Sequence, residues 1–394
     1  MQPPMQPPMQ PPMQPPMQPL MRIVVRPVVR AVVILALAGL ALSTSSGLTA
    51  AQLPLASTPN VLGDDIDRYE RSMRSGGPPP DGIPSIDEPR FVPAADARLD
   101  PREPVIGFVW NGEARAYPQR IMVYHEIVND RVGGLNVAVT YCPLTATAQA
   151  FRRGNSTLGV SGQLLNSNLV LFDRASGSFF SQIAATGLTG AHRGATLDEL
   201  QAVWTTWDRW QATHPETLVL SERTGHLRNY RNDPYGSYVP PGGYYVQPGT
   251  LFPLLHSSSR LHPKAMVIGA RTEEAAAYFP MEALARHRVL QVEGFLALYD
   301  ARLDTGVIYR VPGDQAPAVT PEDDGGFMFE GRRLEAHELS LERLVAVEAF
   351  HFAWHAFYPE SRTPQDRRSL SERVPVNREN SGLSGVQPTW RAGG

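Results

Sequence analysis

The chain has one cysteine, Cys142, in 394 residues, so no intrachain disulfide can form and a hydrophobic core must hold the fold. Cys142 is left as a free thiol, a ligand or a buried apolar filler. Long hydrophobic runs are missing as well: the apolar run over 31–42 has 12 residues, where a bilayer span needs roughly 20. The formal net charge is only −3, and the body holds no run of Lys or Arg. This leaves no electrostatic footprint for an anionic membrane surface, and nucleic acid is not expected as a partner. Familiar catalytic signatures also fail. Position 129 is Asn129, so His125 and Glu126 do not open a zinc-protease helix. Position 163 is Gln163, so the stretch from Gly159 to Gly162 is not the nucleophile elbow of esterases. Phosphate-cradling glycine loops are absent.

What the chain has in quantity is Pro, 37, and Gly, 33, set between short apolar runs. That punctuation suits many strands joined by turns, and the expected class is α+β and β-rich. Residues 1–20 repeat MQPP without an apolar period, a low-complexity segment that stays untranslated if Met21 is the true start. From Met21 onward Arg22, Arg26 and Arg30 precede the apolar run, and small residues follow it to Ala50 and Ala51. This is the layout of a signal peptide over 21–51. The mature protein is expected to be exported, periplasmic or extracellular, with no stable membrane span after cleavage. Residues 52–97 read as a linker or arm, and 363–394 as a polar tail.

Part of the sequence echoes itself. The stretch 99–107 (LDPREPVIG) and the stretch 261–269 (LHPKAMVIG) agree at five of nine positions, and 114–117 is answered by 275–278. Each reads as strand, turn, strand ending at Tyr117 or Tyr278, and helix beginning near Pro118 or Pro280. The expectation is two diverged copies of a strand-turn-strand-helix unit packed together, 98–260 and the shorter 261–362. The second copy lacks an equivalent of 140–182, which places any chemistry in the first.

In that first copy, 135–141 alternates as a buried strand and ends at Cys142, because Pro143 cannot donate to a ladder. With His125, Cys142 could form a thiolate–imidazole pair or bind a soft metal such as copper or zinc with a third ligand to be found. His351 and His355, four apart, share one helical face and would suit a metal, or pack as an aromatic helix on a sheet. Trp204, Trp207 and Trp210, spaced by three, read as the same kind of helix.

The strings 125–130 (HEIVND), 139–144 (VTYCPL), Val160-Ser161-Gly162, 166–174 (NSNLVLFDR) and Ser181-Gln182 resemble the DUF3179 family, a domain of unknown function. So do 204–207, 214–217 and 233–236, and the resemblance spans 105–359. It implies a protein of bacterial or archaeal type, often exported, and no known activity. It also implies that Asn166, Asn168, Asp173 and Gln182 line one pocket with Cys142, and Tyr141 and Ser161 stand in the same strings as binding residues. The family usually carries a second Cys where this chain has Thr145, so a CxxC pair is not available here. The rival to a metal or thiolate site is a non-catalytic pocket for a polar small molecule or glycan.

Overall fold

The computed structural model describes residues 52–313 and 317–364. The repeat over 1–20, the segment 21–51 expected to be a signal peptide and the tail beyond residue 364 lie outside the described residues. The fold is β-rich α+β: several small sheets carry short helices of seven residues each. Among the described residues no helix is long and apolar enough to cross a membrane.

Strand β1 (Pro104–Trp110) turns into β2 (Glu113–Pro118) through Asn111 and Gly112, both with positive φ, as a two-residue hairpin turn requires. Pro118 then fixes the entry to helix α1 (Gln119–His125), which stops at Glu126, a left-handed residue at φ 58°. Strands β3 (Ile127–Val132), β4 (Leu135–Cys142) and β5 (Thr147–Arg152) follow as an antiparallel meander. The hairpin of β6 (Leu158–Leu165) and β7 (Asn168–Asp173) turns at Asn166 and Ser167, again both at positive φ. Strand β8 (Val203–Thr206) returns to pair with β1 and leads into helix α2 (Trp207–Thr213). The tryptophan trio is therefore not one helix. Trp204 lies in the strand, and Thr206 marks the change to helix.

The order recurs from residue 266. Strands β9 (Met266–Arg271) and β10 (Ala276–Pro280) form a hairpin, and Pro280 precedes helix α3 (Met281–His287), which stops at left-handed Arg288. Strands β11 (Val289–Val292), β12 (Phe295–Asp300) and β13 (Thr305–Arg310) form the next meander. Strand β14 (Val347–Phe350) pairs with β9 and leads into helix α4 (His351–Phe357). Val105 faces Pro118 across its hairpin as Val267 faces Pro280. By register Tyr117 therefore corresponds to Phe279, one place beyond the Tyr278 matched by sequence.

One contact fixes the helix of each half against its sheet. A Cβ on Gly107 would stand 2.1 Å from Cζ3 of Trp210, and one on Gly269 would stand 2.4 Å from the Trp354 ring. Each indole N–H then donates to a hydroxyl, Trp210 to Thr217 at 3.0 Å and Trp354 to Ser361 at 2.9 Å. The stretch 52–97 lies against this body: Leu53, Tyr69 and Ile86 are buried, and the Tyr69 hydroxyl donates to the Phe357 carbonyl at 3.1 Å.

Because no side chain fits between sheet and indole, Gly107→Ala and Gly269→Ala should each lower stability by about 3 kcal/mol. Gly112→Ala meets no atom within 4 Å and carries only backbone strain, about 1 kcal/mol. Urea unfolding of the three variants checks the ranking.

Candidate functional site

Strand β4 separates two cores. Val137, Val139 and Tyr141 enter one, and Ala138 and Cys142 enter the other. This period-2 alternation aims Cys142 into the interior at the strand's last residue. Its thiol is 1% exposed and donates to the Ser167 carbonyl at 3.8 Å. Burial pushes the thiol up to about 11, and the nearby Glu126 carboxylate pushes the same way. Three donors oppose them: the Thr145 hydroxyl and the backbone N–H groups of Leu169 and Leu144.

A chain of buried amides holds this corner. Asn168 Nδ2 donates to Thr145 Oγ1 at 2.9 Å and to Gln182 Oε1 at 2.8 Å. Gln182 Nε2 donates in turn to Thr140 Oγ1 at 2.8 Å, and Asn168 Oδ1 accepts from the Ile183 N–H at 3.1 Å. Thr145, at the family's second Cys position, thus keeps a polar contact with Cys142 and anchors the network.

His125 does not join Cys142. Its Nδ1 donates to the Pro84 carbonyl and its Nε2 accepts from the Tyr230 hydroxyl, both at 2.7 Å. Burial lowers its pKa while the thiol's is raised, so both shifts oppose an imidazolium–thiolate pair. The side chain facing Cys142 is the next one, Glu126. The left-handed turn after α1 buries its carboxyl, and desolvation raises it to about 8. Among the described residues no three His, Cys, Asp or Glu side chains converge to hold a metal. That includes His351 and His355, whose rings lie 5.9 Å apart on α4.

The other expected residues are spread out. Asn166 ties the β6–β7 turn to Ala356 O at 3.0 Å and Leu255 N at 2.8 Å. Asp173 accepts from the Ser156 hydroxyl and from the N–H groups of Ala175 and Ser176, which is turn chemistry. Ser161 bonds the Val170 carbonyl beside a β-bulge. Tyr141 points to the face of β4 opposite Cys142 and stacks on Trp204 at 5.2 Å.

Lys264 lies close enough to this corner to feel the charge on Cys142, and the motif reading missed it. It is the only lysine in the chain, the other 35 of the 36 basic residues being Arg. Its residue is 6% exposed and its Nζ has no hydrogen-bond partner. The amine lies 3.1 Å from the centroid of the Tyr244 ring, with Phe352 at 4.8 Å and Phe350 at 5.0 Å. Burial lowers it to about 7, and the charge on Cys142 acts in the opposite sense. The Tyr244 hydroxyl donates to the Leu144 carbonyl at 2.9 Å, so the lysine's aromatic seat is bonded to the cysteine's own turn. The segment 221–263, with only one two-stranded ribbon, covers the site with Tyr235, Tyr244 and Phe252. The signal available in sequence was the count of lysines.

The chain belongs to the family described as Protein of unknown function (DUF3179), whose model matches residues 80–361. No curated protein and no solved structure matches it.

The charge on Glu126 sets a signed expectation. Below pH about 8 its carboxyl is neutral and has no effect on the thiol; above that it repels the thiolate. Glu126→Gln should therefore leave iodoacetamide labelling of native Cys142 unchanged at pH 7 and speed it several-fold near pH 9, read by intact mass.

Proposed function

We propose that the protein is exported and that its mature body is an enzyme acting through Cys142 as a nucleophile, with the Lys264 amine as the base. The observation that carries this reading is that the chain's only cysteine and only lysine are both buried and are linked through Tyr244, whose ring holds the amine at 3.1 Å and whose hydroxyl bonds the Leu144 carbonyl in the cysteine's turn. Arg cannot give up its proton at ordinary pH, whereas a desolvated Lys can. The 35 arginines therefore leave Lys264 as the one side-chain amine able to do this. A pKa near 7 is where a general base is most effective.

The reaction class is acyl transfer from a small substrate. The thiol proton passes to Lys264 Nζ as sulfur attacks the acyl carbon. The bond to the leaving group breaks, and Lys264 returns the proton to that group. Water then hydrolyses the thioester, giving the acid and restoring the thiol. The N–H groups of Leu144 and Leu169 and the Thr145 hydroxyl donate to the sulfur and favour the thiolate as it forms. Substrate enters by displacement of the 221–263 cover.

The recurrence of hairpin, Pro-entered helix, left-handed stop, meander and Gly–Trp contact supports descent of the two halves from one duplicated unit. The alternative of a binding pocket built from Asn166, Asn168, Asp173 and Gln182 draws no support, because those groups are satisfied within the protein. A copper or zinc site draws none either, since the donor set around Cys142 lacks imidazole.

p-Nitrophenyl acetate tests the reading. Native protein should release nitrophenol in a burst and gain one acetyl group on Cys142 by peptide mass. Cys142→Ala should abolish both, and Lys264→Met should slow the burst about 100-fold. Iodoacetamide labelling of denatured Lys264→Met confirms that the thiol is intact. A native Cys142 that stays unmodified until the protein is denatured overturns the proposal.

A further inference from the structure

On the other side of β4 from Cys142, an open cleft of about 570 Å³ lies between the start of α1 and residues 230–239. That is the size range of small-molecule sites. Its inner wall is built from groups that hold one another in place. Gln119, 5% exposed, donates through Nε2 to Asp233 Oδ2 at 2.8 Å, and the Tyr245 hydroxyl donates to the same oxygen at 2.7 Å. The hydroxyls of Tyr141 and Tyr238 lie 3.1 Å apart, and the Tyr238 ring stacks on Tyr245 at 4.1 Å. Gln119 Oε1 receives no hydrogen bond from the described residues, and Gln119 lines the cleft. A buried amide that lines the cleft thus carries an unused acceptor.

From this we infer that the cleft is a binding site for a neutral polyhydroxylated ligand of the saccharide class. The cleft is lined by charges of both signs, Arg98, Arg102, Arg120 and Arg231 against Asp100, Glu103 and Asp233. Arg120 is spent on Glu103 at 3.1 Å and Glu222 at 2.9 Å, and Arg102 lies beside Asp100 at 3.7 Å. An anion entering the cleft meets the Asp233 carboxylate, and a cation meets the arginines of the rim. Sugar hydroxyls fit what remains: they donate to Gln119 Oε1 and to Asp233, and both donate to and accept from tyrosine hydroxyls. The apolar face of a pyranose packs on a ring such as Tyr238, as amphipathic aromatics allow. The cleft lies on the Tyr141 face of β4, and it shares the 221–263 segment with the cover of Cys142.

Saturation-transfer NMR with D-glucose, D-galactose and N-acetylglucosamine as probes, and citrate as the anionic comparison, decides it. The full mature chain and Cys142→Ala should both give a saturable signal from at least one sugar and none from citrate. Gln119→Leu and Asp233→Asn should each weaken it about tenfold. If either unfolds, Asn232→Trp serves, since this exposed rim residue fills the cleft without touching the buried wall, and it should remove the signal. Silence from all three sugars, binding of citrate in their place, or sugar binding unchanged in Asn232→Trp overturns the inference. Sugar binding that persists in Cys142→Ala alongside an unreactive native thiol would separate this site from the acyl-transfer reading.

Discussion

The amide of Asn168 is the fastening on which the interior depends. It sits where three segments meet: the β4–β5 turn, the start of β7 and the loop after Ser181. No water reaches this point, so every polar group there must find a protein partner or cost about 1–3 kcal/mol. Asn168 satisfies Thr145, Gln182 and the Ile183 N–H together. Its position follows from the turn before it, where Asn166 and Ser167 adopt left-handed φ and bring the Ser167 carbonyl to the Cys142 thiol. The cysteine is thus held by the hydrogen bonding of its neighbours.

Around that fastening, burial works on three titratable groups in different senses. It favours the thiol over the thiolate at Cys142, the acid over the carboxylate at Glu126, and the amine over the ammonium at Lys264. All three are therefore biased toward neutrality in the closed state, which is the lowest-cost way to bury them. On the reading proposed above, one proton transfer from the neutral thiol to the neutral amine creates the nucleophile. The aromatic rings around Lys264 offer its charged form a cation–π seat, so the transfer does not leave an ammonium without an attractive partner.

Much of the scaffold was legible. Asn111-Gly112 announces a hairpin, Pro118 and Pro280 announce helix entries, and Pro143 ends β4 where the sequence says it should. The class and the family were also readable, because the motifs are long and well spaced. The site was legible only in part. Cys142 was singled out as a candidate, and Asn168 and Gln182 lie in the hydrogen-bond network of the Thr145 turn next to it. The sequence reading paired His125 with Cys142; His125 bonds elsewhere, and the carboxylate that acts on the thiol is the next residue, Glu126. The difference turns on a single left-handed residue, whose φ no pattern at that position reveals, since non-glycine residues rarely adopt it. Lys264 lies 122 positions from Cys142, in a stretch whose only visible feature was its likeness to 99–107. Spacing cannot connect such residues; only the pairing of strands and the path of the cover can.

The elements from residue 266 onward repeat the order of the earlier ones without a thiol. Through the hairpin registers, Asp300 stands where Cys142 stands and Arg288 where Glu126 stands. What these elements retain is the frame, with Gly269 under Trp354 as Gly107 lies under Trp210. That frame ends in useful places. Lys264 lies two residues before β9, Phe350 is the last residue of β14, and Phe352 is in the first turn of α4. The N–H groups of His351 and Phe352 donate to the carbonyls of Ala265 and Pro263, which flank Lys264. The Phe350 N–H donates to the Thr145 carbonyl at 2.8 Å, inside the cysteine's turn. The half that carries no thiol therefore carries the amine, seats it among its own aromatic rings and bonds it to the half that does.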